Sequence, residues 1–296
     1  MKKFVIVTDS CSDLEKERRE KYGIDYIPMH ITCEGKEYVA DLDFNEIPYK
    51  EYFNMLRNGK VFKTSQVTES QYREAFEKYV LDGFDILSIS CSSGLSNSYN
   101  ESCKVRDEFK EKYPETKIVC VDSLNSCNGL GLLCVTASDM RAQGKSIEEI
   151  GEWLEKHKLK MNQECTVEKL TYLKNAGRVS ATSAFFGGIF NVKPIIISDA
   201  LGHNNAVEKV KGRKASIERI AERVKAQYEK TPYQRIFFGH ADCEEDMELL
   251  KSAVLKEIDA DGVPVETGRI GPIIGASAGP GTIAVYFYGK EVTYGK

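Results

Sequence analysis

Residues 85–99, DILSISCSSGLSNSY, join three kinds of chain in one stretch. Ile86–Ile89 is an apolar run that reads as a buried strand. It empties into a loop carrying Ser90, Ser92, Ser93, Ser96 and Ser98, and a polar helix pattern follows from about Tyr99 to Lys112. The first N–H groups of a helix lack intrahelical partners, and the helix dipole leaves partial positive charge there. With serine hydroxyls as added donors, such a cup can hold a carboxylate or phosphate without Lys or Arg. The plainer reading is that Ser96 or Ser98 caps the helix.

The pattern recurs. Phe4–Val7 ends in Thr8-Asp9-Ser10-Cys11-Ser12-Asp13-Leu14, Val61–Lys63 leads into Thr64-Ser65-Gln66-Val67-Thr68, and Ile118–Val121 ends in Asp122-Ser123-Leu124-Asn125-Ser126. Parallel strands in an open α/β sheet deliver their C-terminal loops to one edge, where ligands bind. Four hydroxyl-rich exits are therefore expected near one another, although each taken singly is also an ordinary Asp/Ser turn or helix cap.

The rest of the N-terminal half supports that reading. A charged helix over Leu14–Tyr22 is stopped by Gly23, Tyr26–Thr32 is strand-like, and Pro48 opens an amphipathic helix ended by Asn58-Gly59. Helix Gln71–Leu81 and an apolar helix Leu130–Arg141 complete the alternation, and Ser146-Ile-Glu-Glu149 is a capping box. Trp153 falls in register with Ile147, Ile150 and Leu154, so it reads as packing. The expected fold is two α/β domains with the ligand between them. Residues 1–160 carry a mostly parallel sheet flanked by helices, and residues 161–296 form a smaller mixed-sheet domain. In the second part, strands are expected at Pro194–Ile197, Ala206–Val210, Ile236–Gly239, Pro264–Thr267 and Thr282–Tyr288. Helices are expected at Leu170–Asn175, Ala215–Tyr228 and Glu244–Ile258, and a loop over Gly275–Gly281.

Composition narrows the function. The 296 residues carry 41 basic and 45 acidic side chains without a basic stripe, which argues against nucleic acid as a partner. No apolar segment approaches the roughly 20 residues of a membrane span, so at most a transient membrane-surface contact is expected. The apolar run after Met1-Lys2-Lys3 is too short for a signal peptide, and the chain reads as cytoplasmic. Nine scattered cysteines, with no C-x-x-C pair, suit free buried thiols. No metal site is expected: Cys and His do not cluster, and Asp9, Asp13, Asp122 and Asp199 suit caps and turns better than a cation. No P-loop or GxGxxG fingerprint is present, so no cofactor is expected.

Two kinds of chemistry remain open. Ser96 or Cys91 with His240 and Asp242 would make a hydrolase or acyl-transfer enzyme, although there is no G-x-S-x-G elbow. Alternatively, Phe185, Phe186, Ile189 and Phe190, set among Gly and Ala, offer a wall for a greasy ligand whose polar head sits in the hydroxyl cup.

Seven short motifs, in order along nearly the whole chain, resemble the DegV family. They are TDSCSDL (Thr8–Leu14), TSQ (Thr64–Gln66), SSGLSNSY (Ser92–Tyr99), VDS (Val121–Ser123), LTYLKNAGRVS (Leu170–Ser180), Lys193-Pro194 and GPG (Gly279–Gly281). The resemblance implies a two-domain α/β protein, not itself an enzyme, that binds one long-chain fatty acid between its domains. It implies carboxylate contacts from Thr64 and Ser96. Ser65, Ser93, Asn97 and Ser277 are candidates for further head-group contacts, and Phe185, Phe186 and Ile189 for the tail. Some members of the family deliver the fatty acid to a separate kinase subunit, and Arg178, in the Gly-Arg-Val stretch, is then the expected docking residue. Two positions depart from the family pattern: Asn97-Ser98 stands where Gly-Thr is usual, and Ser277 where His is common. The family fold also resembles dihydroxyacetone kinase substrate domains. That chemistry wants a His for covalent capture, and the hydroxyl-rich loops have none.

Overall fold

In the computed structural model, residues 2–180 and 191–295 are described. Strand β1 (Phe4–Asp9), helix α1 (Lys16–Tyr22) and strand β2 (Ile24–Ile27) open the chain. α1 stops at Gly23, whose left-handed backbone lets its N–H reach the Arg19 and Glu20 carbonyls. The expected strand Tyr26–Thr32 is broken in two. Pro28 cannot donate to a ladder, and beyond it β3 (His30–Cys33) leaves for a separate antiparallel sheet with β4 (Lys36–Val39) and β5 (Lys63–Thr64), in the order β4-β3-β5. Helix α2 (Tyr49–Arg57) buries Tyr49, Tyr52, Phe53 and Leu56 along one stripe.

Helix α3 (Glu69–Leu81), β6 (Asp85–Ser90), α4 (Ser98–Lys112), β7 (Ile118–Asp122), α5 (Cys127–Ala142) and α6 (Ile147–His157) follow. Capping boxes open α3 (Thr68/Gln71) and α6 (Ser146/Glu149). Strands β2-β1-β6-β7 form a four-stranded sheet, parallel throughout. The strand order reverses direction between β1 and β6, which is the switch point where open α/β sheets present a crevice.

The second sheet is the wider. It contains β8 (Met161–Thr166), β9 (Val179–Ser180), β10 (Val192–Ser198), β11 (Asn204–Lys211), β12 (Ile236–His240), β13 (Val265–Arg269) and β14 (Ile283–Tyr288). Their order is β13-β12-β14-β8-β10-β11-β9, with mixed pairing. Between them run α7 (Leu170–Ala176), α8 (Arg213–Gln227), α9 (Glu244–Glu257) and α10 (Pro272–Ala278). The loop expected over Gly275–Gly281 is in part a helix. Pro272 occupies the first turn, where its missing N–H costs nothing, and Gly279 closes the helix.

Strand β14 shows how this sheet divides the interior. Ile283, Val285 and Phe287 pack with α8 and α9 residues such as Ile220 and Leu250. The alternate residues Ala284, Tyr286 and Tyr288 face the large core shared with the first sheet. Helix α5, buried along nearly its whole length, packs on strands of both sheets. Trp153 is a packing residue: its ring stacks on His157 and meets Tyr233 and Tyr288 edge-on.

Candidate functional site

Parallel pairing brings the exits of β1, β6 and β7 to one edge, and hydrogen bonds stitch them together. The buried Asp9 carboxylate accepts from the N–H groups of Cys11 (2.9 Å) and Cys91 (2.7 Å), tying β1 to β6. Asp122 accepts from Ser93 N–H at 3.1 Å, and Ser92 N–H bonds the Asn125 carbonyl at 2.9 Å, tying β6 to β7. Asp199 likewise accepts from the N–H groups of Leu201 and His203. Among the described residues no cluster of His, Cys, Asp and Glu could hold a metal ion.

The Thr64 exit reaches this edge by another route than expected. Its strand lies in the antiparallel sheet, paired with Ile31, because the run Val61–Lys63 is short and half exposed and cannot serve as a central parallel strand. A hydroxyl chain docks it to the serine loop. Val67 N–H donates to Ser98 Oγ at 3.1 Å, and Ser98 and Ser96 share a hydrogen bond of 2.9 Å.

A cavity of about 710 Å3 opens over these exits. Thr64, Ser65, Ser93, Ser96, Asn97, Ser277 and Arg178 all line it. Their hydrogen bonds differ. Ser65 Oγ is engaged with the backbone of His30, Asn97 bonds Glu101 and Asn100, and Ser277 turns back to the Ile273 carbonyl of its own helix. The hydroxyls of Thr64 and Ser93 have no partner among the described residues. If Ser98 donates to Ser96 while accepting from Val67, the Ser96 proton is left to point elsewhere.

Apolar and sulfur-bearing side chains make most of the rest of the wall: Cys11, Met29, Cys91 and Cys127 from the first sheet's side, and Cys165, Val167, Leu173, Ile196, Ile270, Ile273 and the aromatic Tyr286 from the second. Most of these went unnoticed in sequence. The one available signal was Pro272-Ile273-Ile274, a proline at a helix start followed by apolar residues. Of the polar residues among this wall, Gln163 donates to Asn204 Oδ1 at 3.0 Å and Thr282 donates to the Ala278 and Gly279 carbonyls, whereas the side chains of Gln66 and Ser126 have no partner among the described residues. Phe185, Phe186 and Ile189 lie outside the described residues.

The wall is electrically quiet. Burial pushes the Cys165 thiol up to about 12 and the Cys127 thiol well above its usual value. Hydrogen bonding to Cys91, with burial, raises the Cys11 thiol likewise. For Cys91 the bond to Cys11 pulls downward, but burial and the Asp9 carboxylate prevail and its thiol is raised. Thiols of this kind are poor nucleophiles near neutral pH. Arg178 is the one charged residue of the described lining. It is exposed, and its guanidinium bonds two backbone carbonyls, Leu95 (2.9 Å) and Ala176 (3.4 Å).

The Ser96–His240–Asp242 set is not assembled. His240 Nδ1 accepts from Cys243 N–H, Asp242 pairs with Lys50 and Arg57, and Ser96 bonds Ser98. Burial lowers the His240 pKa, and its ring packs edge-on against Tyr49.

Fold and site together define an α/β protein of two large sheets and a small three-stranded one, with an amphipathic cavity at the strand exits. Residues 3–290 match the family model described as "Uncharacterised protein, DegV family". A DegV domain-containing protein of Clostridium perfringens is 38% identical over 289 residues, 98% of each chain. The crystal structure of a DegV lipid-binding protein from Thermotoga maritima superposes with a TM-score of 0.85 at 25% identity, covering 98% of this chain and 100% of that one. A stearic acid-binding protein from Eubacterium ventriosum gives 0.82 at 25% identity, covering 96% and 98%. The chain belongs to the DegV family.

Proposed function

We propose that this protein binds one long-chain fatty acid, with the carboxylate held by Thr64 and Ser96 and the tail in the apolar part of the cavity. The observation that carries the reading is the division of the lining. Hydroxyl donors of Thr64, Ser65, Ser93 and Ser96 converge from two loops. Beyond them, apart from a few polar side chains such as Gln66, Ser126, Gln163 and Thr282, the lining is mainly aliphatic, aromatic or sulfur. The lipid and stearic acid bound by the two similar proteins point the same way. A tail gains roughly 0.8 kcal/mol per buried methylene, so the wall supplies most of the affinity. The carboxylate sits at the open end of the cavity, where Thr64 is exposed and Ser96 half-buried, and it needs donors there to replace the hydration it loses. The hydroxyl chain from Val67 through Ser98 provides one: Ser98 donates to Ser96, which then donates to the ligand, each bond polarising the next. Neutral donors hold the anion without a fixed ion pair, so it can be released.

The protein is a carrier and not an enzyme. The acceptor of its ligand is a separate kinase subunit that phosphorylates the carboxylate, and Arg178 is the docking residue. Three features support this: His240, Asp242 and Ser96 are each bonded to other groups and form no relay, the Thr64 end of the cavity is exposed, and a guanidinium at the rim has no carboxylate partner among the described residues. Native mass spectrometry of the purified protein tests the ligand. One bound fatty acid of roughly 14–18 carbons is expected, the length at which methylene burial gives useful affinity. Apo protein alone, with no uptake of added palmitate or oleate, would refute the reading.

A further inference from the structure

A second cavity, of about 450 Å3, adjoins the first and shares Thr64, Ala176, Ser277 and Arg178 with it. Its chemistry is different. Arg57, Lys60, Lys63, Lys169 and Arg178 line it, and no described lining residue is acidic. This stands out in a chain whose formal net charge is −4. Two of the cations are compensated from outside the groove, Arg57 by Asp242 and Lys60 by Glu34, each at 2.5 Å. Lys63, Lys169 and Arg178 have no carboxylate partner among the described residues. Like charges gathered in a concave surface repel one another and concentrate their field, so a groove of this kind is relieved by a multiply charged anion. The hydroxyls of Thr64 and Thr171 and the amide of Asn175 add donors, and the half-buried Tyr172 ring gives one wall a flat face.

We propose that this groove is a phosphate-binding subsite, which receives the phosphate chain of a small molecule that meets the acyl carboxyl group. The placement of the carboxyl group rests on the fatty-acid reading above; the cationic groove does not. A single carboxylate is satisfied at Thr64 and Ser96 and needs none of Lys60, Lys63 or Lys169. Phosphates can arrive in two ways. They can be attached, as in acyl-coenzyme A, whose thioester arm would pass between Thr64 and Arg178 from one cavity into the other. They can be free, as in a nucleoside triphosphate brought up to the bound carboxylate. Both use the same ammonium and guanidinium contacts.

Titration calorimetry at low ionic strength, with wild-type protein and the double variant Lys63→Ala/Lys169→Ala, tests the subsite. Inorganic tripolyphosphate probes the groove alone. It should bind the wild type and bind the variant roughly tenfold more weakly, with weakening by added salt in the wild type. Palmitate should bind both proteins equally, since neither lysine lines the fatty-acid cavity. Palmitoyl-coenzyme A binding more tightly than palmitate, with the gain lost in the variant, identifies attached phosphates. ATP binding to palmitate-loaded protein, lost in the variant, identifies free ones. If neither tripolyphosphate, palmitoyl-coenzyme A nor ATP distinguishes the two proteins, the subsite is overturned. Failure of palmitate to bind the wild type would instead overturn the fatty-acid reading, while tripolyphosphate would still decide the groove.

Discussion

Thr64 and Ser96, with Ser93 beside them, differ from Ser65 and Ser277 in what they have left to give. Ser65 and Ser277 are engaged with backbone, and Asn97 is held by Glu101 and Asn100, so these three serve the shape of the loops first. The Thr64 hydroxyl has no partner among the described residues, and Ser96 receives support through Ser98. Thr64→Ala and Ser96→Ala should therefore each weaken palmitate binding by about 1–3 kcal/mol, the worth of a hydrogen bond to a charged group. Both variants should keep the wild-type melting temperature. Calorimetric titration checks this, and unchanged affinity in both variants would place the carboxylate elsewhere. Arg178→Ala belongs to the same series with the opposite expectation. Palmitate affinity should stay level while acyl-phosphate production by a reconstituted cognate kinase falls. A fall in melting temperature would show instead that the bonds to Leu95 and Ala176 are structural.

At the scale of elements, the serine loop is held from behind by the turn after β10. Ser92 Oγ donates to the Gly202 carbonyl at 2.7 Å, and Ser198 Oγ donates to the Leu124 carbonyl at 2.9 Å. Gly94 makes this approach possible, since a Cβ there would lie 2.9 Å from the Leu201 carbonyl oxygen and 3.0 Å from Gly202. Those are backbone atoms and cannot rotate aside. Gly94→Ala should push the loop off the turn, lowering stability by about 1–3 kcal/mol and weakening palmitate binding with it. Denaturant unfolding and titration on one sample check both, and a variant with wild-type stability would remove the bracing role. The same elements show what was legible beforehand. The serine loop, the capping box at Ser146 and the stop at Gly23 depend on residues a few positions apart, and these fall where the sequence puts them. What went unread depends on distant partners. β3 and β5 pair across more than thirty residues, α10 hides behind a glycine-rich reading, and the cavity wall draws Met29, Ile196 and Tyr286 from elements that nothing local connects. Arg178 shows the same limit, because its partner Leu95 lies 83 residues away.

Across the whole molecule, α5 and the 3-10 turn Ser10–Ser12 lie at the seam between the two sheets, with the cavity beside them. This seam buries acid. Burial raises Asp9 to about 6, against the opposing N–H bonds from Cys91 and Cys11. Burial raises Asp13 to about 7, only partly offset by the Cys127 thiol and the Gly271 N–H. In the second sheet burial raises Glu164 to about 7 despite its bond to Arg223. The sign follows from proton counts. Below about pH 4 both folded and unfolded chains hold these protons. Between there and about pH 7 the unfolded chain releases them while the folded chain keeps them, so the folded state binds more protons and stability falls as pH rises. Carboxylates held low, such as Asp41 and Asp242, act with the opposite sign but below this window. His240, lowered by burial, and Cys103, lowered to about 6 by its bond to Cys120, oppose within it but are outweighed by the three raised acids. The melting temperature should therefore fall from pH 5 to pH 8. Asp13 has φ of 51°, a conformation asparagine tolerates, so Asp13→Asn removes the charge without straining the turn. That variant should melt close to wild type at pH 5 and above it at pH 8, which flattens the profile. Scanning calorimetry at constant ionic strength measures both curves. A wild-type melting temperature that is level or rising over this range, or an Asp13→Asn profile parallel to it, would show that the seam does not carry the acid cost assigned to it.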